Sequence, residues 1–281
     1  MSVAQALRDA ALLLDAVSDT PRLDAELLLA HALGMARADL LLRQHELSVP
    51  EAFAALLTRR RDGAPIAHIT GTRDFWTLTL RVTPDALIPR PDSETLIEAA
   101  IAHFHDRAPK RILDLGTGSG ALLLAALDQW QAATGLGIDR SLAALDVAQD
   151  NATRLGLGQR AEFLSGDWGQ GVEGRFDLIL CNPPYVARGA ALAGDVLREP
   201  ASALFAGDEG LDDYRRIAPQ LTALLAPAGV AAIEIGHDQA ASVAALLEAE
   251  GLATRLYRDL AGRDRCLIVR TRLNKLDGVG V

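Results

Sequence analysis

The chain has 281 residues, 49% of them apolar, enough for one large core or two ordinary ones, and a globular protein is expected. Its 28 basic and 37 acidic residues leave a net charge of −9, which excludes the broad basic footprint of a nucleic-acid-binding face. Two cysteines, Cys181 and Cys266, without paired spacing, and six scattered histidines exclude a zinc cluster or a disulfide framework, so no metal is expected. The N-terminus lacks the order of a signal peptide and no apolar run approaches the length of a membrane span, so a cytoplasmic protein with no membrane partner is expected.

Residues 1–72 read as helices only. Leu7, Ala11 and Leu14 recur at helical spacing, and so do Leu23, Leu27 and Ala30, in a segment opened by Thr20 as N-cap and Pro21 as first helical residue and closed by Gly34. Ala38 to Arg43 and Pro50 to Asp62 add two further helical segments. The last ends in Arg59-Arg60-Arg61, cations that complement a helix C-terminus and are expected in solvent, contact with RNA or an acidic partner being the alternative. A small helical bundle follows. Between residues 73 and 90 the period changes to two: Phe75, Trp76, Leu78, Leu80 and Val82 predict a β-hairpin leading into a stiff loop, Leu87 to Glu94. Its Arg90 either lines a site or pairs with a surface acid, and Asp92 or Ser93 is placed to cap a helix from Glu94 to His105.

From residue 91 to 281 the pattern alternates strands and helices, as in a parallel sheet. Strands are expected at Arg111–Leu115, Gly135–Asp139, Ala161–Ser165, Phe176–Cys181 and Gly229–Ile235. Ala253–Arg258 and Cys266–Arg270, joined without a helix, should close the sheet as an antiparallel pair. The helices fall at 121–130, 141–156, 212–225 and 239–250, and the tail from Leu273 is expected to fray.

The first of these strands runs into Gly116-Thr117-Gly118-Ser119-Gly120, which opens the next helix. In an open α/β sheet this is where nucleotides bind, because glycine lets a backbone approach a ligand and a helix N-terminus favours an anion. The order departs from the dinucleotide fingerprint: the third glycine comes one residue early and Asp114 stands just before the loop. Asp139, ending the second strand, is suited to both hydroxyls of a ribose, and Asp167-Trp168 offers an acceptor and a ring for a nucleobase, or else a plain turn with a core anchor. A nucleoside-type cofactor is therefore expected. S-adenosylmethionine, which has no phosphate, suits this loop and Asp114; a nicotinamide dinucleotide would want the standard glycine order and a proton-transfer residue, and none is evident.

Beyond the fourth strand stands Asn182-Pro183-Pro184-Tyr185. Two prolines hold the chain extended and leave its carbonyls free; the asparagine adds a side-chain acceptor and the tyrosine a flat apolar face. Such a rack suits a planar NH2 group, each N–H taking one acceptor, and implies transfer onto that nitrogen. A strand-ending turn with an Asx cap is the plainer alternative.

Together, Asp114 to Gly120, Asn182 to Tyr185 and Leu87 to Glu94 resemble the bacterial protein N5-glutamine methyltransferases of peptide chain release factors. The likeness spans nearly the whole chain and includes Phe75-Trp76, Glu199-Pro200 with Ala203-Leu204, Gly210-Leu211-Asp212 before Tyr214-Arg215, and Leu260 to Arg265. It implies a seven-stranded, Rossmann-like class I methyltransferase sheet behind an all-helical N-terminal domain that recognises the substrate protein, the two joined by the hairpin. By resemblance, Gly116, Thr117, Gly118, Ser119, Gly120, Asp139, Trp168 and Asn182 bind S-adenosylmethionine. Asn182, Pro183, Pro184 and Tyr185 hold the glutamine amide of the Gly-Gly-Gln loop of class 1 release factors, with Asn182, Pro183 and Tyr185 as the catalytic set. A monomer with no nucleic-acid requirement is expected. A sister branch acts on a ribosomal protein and carries Pro-Arg-Ser-Pro where this chain has Pro89-Arg90-Pro91-Asp92, which favours release factors. Residues 188–194, short and rich in alanine and glycine, depart from the family pattern. An amino methyltransferase of adenine or guanine, and a module that binds the cofactor without turnover, are the rival readings.

Overall fold

The computed structural model describes residues 2–192 and 194–272, so the expected fraying from Leu273 lies outside the described residues. The chain divides into two compact units. One is built on Met1–Thr72 together with Leu192–Arg198, and the other on Arg73–Ala191 with the chain from Glu199 onward.

The first unit is helical. Helix α1 (Val3–Leu14) is capped by Ser2, whose hydroxyl accepts from the Gln5 amide at 3.3 Å. Helix α2 (Pro21–Leu33) starts on its proline and ends at Gly34, whose φ of 64° gives the left-handed C-cap that glycine adopts without strain. Helices α3 (Arg37–Arg43), α4 (Ala52–Arg61) and α5 (Ile66–Thr70) follow; periodicity is too short-lived in five residues to reveal the last. Val3, Leu7, Leu14, Leu28, Leu29, Leu40 and Phe53 form the core.

Two expectations change here. On α2 the inward face is Ala25, Leu28, Leu29 and the expected Ala30 with the charged Asp24 and Glu26, while Leu27 is half-buried and Leu23 exposed. The physical reason is pairing. The Asp24 carboxylate meets Arg60 at 2.7 Å with both side chains buried, and Glu26 is clasped by Arg22 and Arg37. Arg60 is thus not a solvated helix end. Its guanidinium also donates to the carbonyls of Ala64 and Val17, and Asp195 approaches it at 3.4 Å.

In the second unit a two-stranded hairpin, β1 (Thr72–Phe75) and β2 (Leu78–Arg81), precedes the short turn Pro91–Ser93 and helix α6 (Glu94–His103). The main sheet is made of β3 (Arg111–Leu115), β4 (Thr134–Asp139), β5 (Ala161–Ser165), β6 (Phe176–Cys181), β7 (Leu225–Glu234), β8 (Leu252–Arg258) and β9 (Asp264–Thr271). Helices α7 (Ala121–Gln129), α8 (Leu142–Arg154), α9 (Asp212–Leu224) and α10 (Ala240–Ala249) connect them. The order across the sheet is β5-β4-β3-β6-β7-β9-β8. Strands β3 to β7 run parallel, and β9 lies antiparallel to β7 and to β8, as the missing helix between β8 and β9 predicts.

Alternate residues on each strand supply the two faces. Ile112, Leu178 and Leu180 pack with α6 and α7 on one side; Leu113, Ile179 and Cys181 pack with α9 and α10 on the other. Both cysteines are fully buried. Strand β7 starts four residues earlier than its apolar run predicts, because the register shifts between Phe176 and Leu178 and so accommodates Pro227, which cannot donate to the ladder. The outcome that matters for function is central: β3 and β6 are neighbours, while the chain leaves them toward opposite edges. Their C-terminal ends therefore form the topological switch point where such sheets hold ligands.

Candidate active site

The glycine loop leaves β3 at this switch point. The amides of Gly116 and Thr117 both donate to the Ile138 carbonyl, at 2.8 and 2.9 Å, which ties the loop to the end of β4. Gly116, Gly118 and Gly120 have φ of 75°, 55° and 82°. The Asp139 carboxylate accepts the Gly118 amide on one oxygen and the Ser141 amide on the other, each at 2.9 Å. Each oxygen keeps a second lone pair for a ligand hydroxyl. Behind the loop lies Asp114, 1% exposed, taking the Thr117 hydroxyl at 2.7 Å on one oxygen and having no hydrogen-bond partner among the described residues on the other. Burial pushes its pKa up to about 7, against hydrogen bonds from the Thr117 hydroxyl and the Leu123 backbone amide.

Trp168 faces the loop. Its φ of 54° is a left-handed conformation that a bulky residue seldom takes, and it lays the indole over Gly116, where a Cβ would stand 2.9 Å from the ring. Asp167 lines the same space, and both its carboxylate oxygens receive Arg216 of α9, each keeping a lone pair.

Across the switch point, β6 ends at Cys181 and the Asn182-Pro183-Pro184-Tyr185 turn begins. The Asn182 side-chain Nδ2 donates to the Ser93 Oγ at 3.1 Å, which leaves its Oδ1 as the acceptor end. Ser93 accordingly makes no helix cap for α6, contrary to its expected use. Tyr185 is fixed at both ends: its hydroxyl donates to Glu234 Oε1 at 3.1 Å and its carbonyl accepts Gln239 Nε2 at 3.1 Å. Burial pushes the Tyr185 phenol well up, so it stays neutral. Arg90 pairs with Glu199, a buried acid that also takes the Ile88 amide at 2.8 Å, so the loop from Leu87 to Glu94 is pinned by charge.

One cavity is lined by Gly116, Thr117, Gly118, Ser119, Asp139, Trp168, Asn182 and Pro184, together with Phe75 and Ser93. Of the residues singled out in the sequence, Gly120, Pro183, Tyr185, Asp114 and Arg90 do not line it. Gly120 meets Leu124 and Ala148, where it permits close packing of the helices, and Pro183 is buried. Several partners escaped the sequence. Asn151 of α8 is 1% exposed; its Oδ1 accepts the Arg81 amide at 2.8 Å and its Nδ2 donates to the carbonyls of Arg81 and Ser119, both at 3.0 Å. Glu234 lies, 1% exposed, at the end of an otherwise apolar strand. A lone acid in an apolar run was the one available signal for it.

The chain is similar to known proteins. Residues 5–71 match the model of the PrmC N-terminal domain and residues 93–209 that of the methyltransferase small domain. A release factor glutamine methyltransferase of Rhodospirillum rubrum is 48% identical over 261 residues, covering 90% of this chain and 80% of that protein. One from Cereibacter sphaeroides is 45% identical over 278 residues, 96% of this chain and 99% of its own. Among solved structures, the hMettl16 catalytic domain superposes with a TM-score of 0.58 at 16% identity, covering 80% of this chain and 84% of that one, a likeness of fold alone. Identity of this extent over nearly the full length of both partners, joined to the switch-point loop and the proline turn, places the chain in the release factor glutamine methyltransferase family.

Proposed function

We propose that this protein transfers a methyl group from S-adenosylmethionine to the side-chain amide nitrogen of the glutamine in the Gly-Gly-Gln motif of class 1 peptide chain release factors. The observation that carries the reading is the polarity of Asn182. With Nδ2 committed to Ser93, its Oδ1 is left as an acceptor at the cavity that the glycine loop also lines.

The residues present fit the cofactor. Asp139 retains lone pairs for a ribose, Trp168 offers a face to a base, and Gly118, whose Cβ would meet no side chain within 4 Å, leaves room at the loop. Behind the loop, one oxygen of the buried Asp114 carboxylate has no hydrogen-bond partner among the described residues. Bound there, S-adenosylmethionine supplies an electrophilic methyl group on a sulfonium. An amide nitrogen is a weak nucleophile because its lone pair is shared with the carbonyl, so the work of the protein is positioning. The Asn182 Oδ1 and the Pro183 carbonyl would accept the two N–H groups and hold the nitrogen aimed at the methyl, with Tyr185 packing over the amide. As the new N–C bond formed, the methyl–sulfur bond would break with its electron pair returning to sulfur, S-adenosylhomocysteine would leave, and the positively charged nitrogen would lose a proton, to water or through the Asn182 contact. No strong base is needed beforehand.

The helical unit is assigned to recognition of the substrate protein, and the enzyme to action as a monomer in the cytoplasm. Among the described residues no helix is long and apolar enough to cross a membrane. The net charge of −9 disfavours nucleic acid as substrate. The test is incubation with labelled cofactor and release factor, followed by peptide mass mapping, with Asn182→Ala in parallel. A single methyl on the Gly-Gly-Gln glutamine is expected, with the rate falling about 10²- to 10³-fold in the variant, the usual loss for one oriented polar partner. Label on added ribosomal protein or nucleic acid instead would overturn the substrate.

A further inference from the structure

Glu234 ends β7 one residue beyond the pair Cys181–Ile233, so it is level with Asn182, which stands one residue beyond the same pair on the neighbouring strand. It is buried in an apolar stretch, where an uncompensated carboxylate is costly, and the chemistry described so far does not use it. What it touches is the rack. Tyr185 donates to its Oε1, the Ser93 hydroxyl interacts with the same carboxylate, and Ser93 Oγ in turn accepts from Asn182. Glu234 Oε2 has no hydrogen-bond partner among the described residues, so it is the open acceptor on the carboxylate beside the Ser93 hydroxyl.

We propose that Glu234, acting through Ser93, fixes which end of the Asn182 amide faces the substrate, and is thereby a positioning residue for methyl transfer. The inference rests on the reading of Asn182 as acceptor of a substrate N–H. A serine hydroxyl has one proton and an ionised carboxylate only accepts. With Glu234 charged, the Ser93 proton goes to the carboxylate, a lone pair of Ser93 Oγ turns to Asn182, and only the Nδ2 end of the amide can meet it. The acceptor Oδ1 then points to the cavity. With Glu234 protonated, the acid can donate to Ser93, which frees the serine proton to turn to Asn182. The amide is then stable when flipped, and it presents N–H groups to the N–H groups of the substrate.

This gives the relay a signature in pH. Burial pushes the Glu234 pKa up to about 7, opposed by Ser93, Arg265 and Tyr185. The groups that face it are Arg265 of β9, with Asp92 at 3.1 Å and Asp259 at 3.2 Å from that guanidinium, the phenols of Tyr185 and Tyr214, and the thiols Cys181 and Cys266 on the flanking strands. Burial pushes both thiols and both phenols up, so these four groups stay neutral through the range in which the carboxylate changes charge.

Single-turnover rates with the release factor are to be measured from pH 5.5 to 9 for wild type, Glu234→Gln, Ser93→Ala and Ser93→Thr. Cofactor affinity and thermal unfolding, read on the same samples, establish that each is folded. Wild type should lose rate below an apparent pKa near 7. Glu234→Gln and Ser93→Ala should be at least tenfold slower at pH 8 and lack that acid limb, while Ser93→Thr, which keeps the hydroxyl, should recover to within about threefold of wild type with the limb restored. A limb that persists in Ser93→Ala, or a threonine variant no better than alanine, overturns the relay, and this serine pair decides the matter even if Glu234→Gln does not fold. Wild type that puts no methyl on the glutamine overturns the proposed function instead, so the two failures are distinct.

Discussion

Replacing Gly116 by alanine tests whether the loop and Trp168 form one surface. Two costs follow from the structure. At φ +75° an alanine pays the left-handed penalty, about 1–2 kcal/mol. Its Cβ would also stand 2.9 Å from one indole carbon and 3.4 Å from a second, an overlap of the kind that costs about 1–3 kcal/mol in a packed site. The ring cannot retreat freely, because Trp168 is itself held at φ 54° and packs on the core beneath α9. Gly156→Ala supplies the comparison: φ is +73°, nothing lies within 4 Å of its Cβ, and only the first cost applies. Urea unfolding should therefore show Gly116→Ala less stable than Gly156→Ala by about 1–3 kcal/mol. Calorimetric titration with S-adenosylmethionine should show affinity reduced at least tenfold in Gly116→Ala and unchanged in Gly156→Ala. Equal stability losses, or full cofactor affinity in Gly116→Ala, would refute the idea that loop and indole are in register.

Arg60→Ala should destabilise the helical unit by about 3–5 kcal/mol in urea, since it strands the buried Asp24 carboxylate, and an Asp24→Leu/Arg60→Met double variant should recover most of that loss. Asp114→Asn addresses pH. Folding raises the Asp114 pKa from 3.8 to about 7, so the folded protein keeps a proton that the unfolded chain releases; this contribution is fully present below pH 3.8, falls as pH rises toward 7 and is constant above. The asparagine variant should thus gain on wild type between pH 4 and 7 in chemical denaturation, with Glu234 leaving a smaller slope of the same sign; parallel curves would show that Asp114 is charged throughout.

The sheet was legible because its strands are short apolar runs punctuated by glycine and proline, and because a parallel sheet buries both faces of each strand, as Leu178, Ile179, Leu180 and Cys181 do. The glycine loop and the proline turn were legible for a related reason: each is contiguous, and its residue types constrain the backbone directly. What stayed hidden is held by partners far apart in sequence. Asn182 meets Ser93 across 89 residues, Tyr185 meets Glu234 across 49 and Asn151 meets Arg81 across 70. Asp167 has a partner that nothing near it in the sequence announces, Arg216, 49 residues on. The helical unit misled for the opposite reason. Its α2 buries Asp24 and Glu26 beside Leu28 and the expected Ala30 while Leu23 faces solvent, so hydrophobic spacing alone places the inward face only in part when ion pairs belong to the core.

The Asn151 side chain has a thermodynamic consequence for the hairpin. Its amide meets both the N–H and the carbonyl of Arg81, as a further strand would, and with its remaining proton holds the Ser119 carbonyl in the glycine loop. Edge strand and loop therefore cannot open independently: release of either leaves buried amide groups unpaired, so the two behave as one cooperative unit in hydrogen exchange. A ligand that holds the loop must slow exchange at the Arg81 amide, 38 residues upstream of Ser119, which makes that single peptide group a reporter of occupancy.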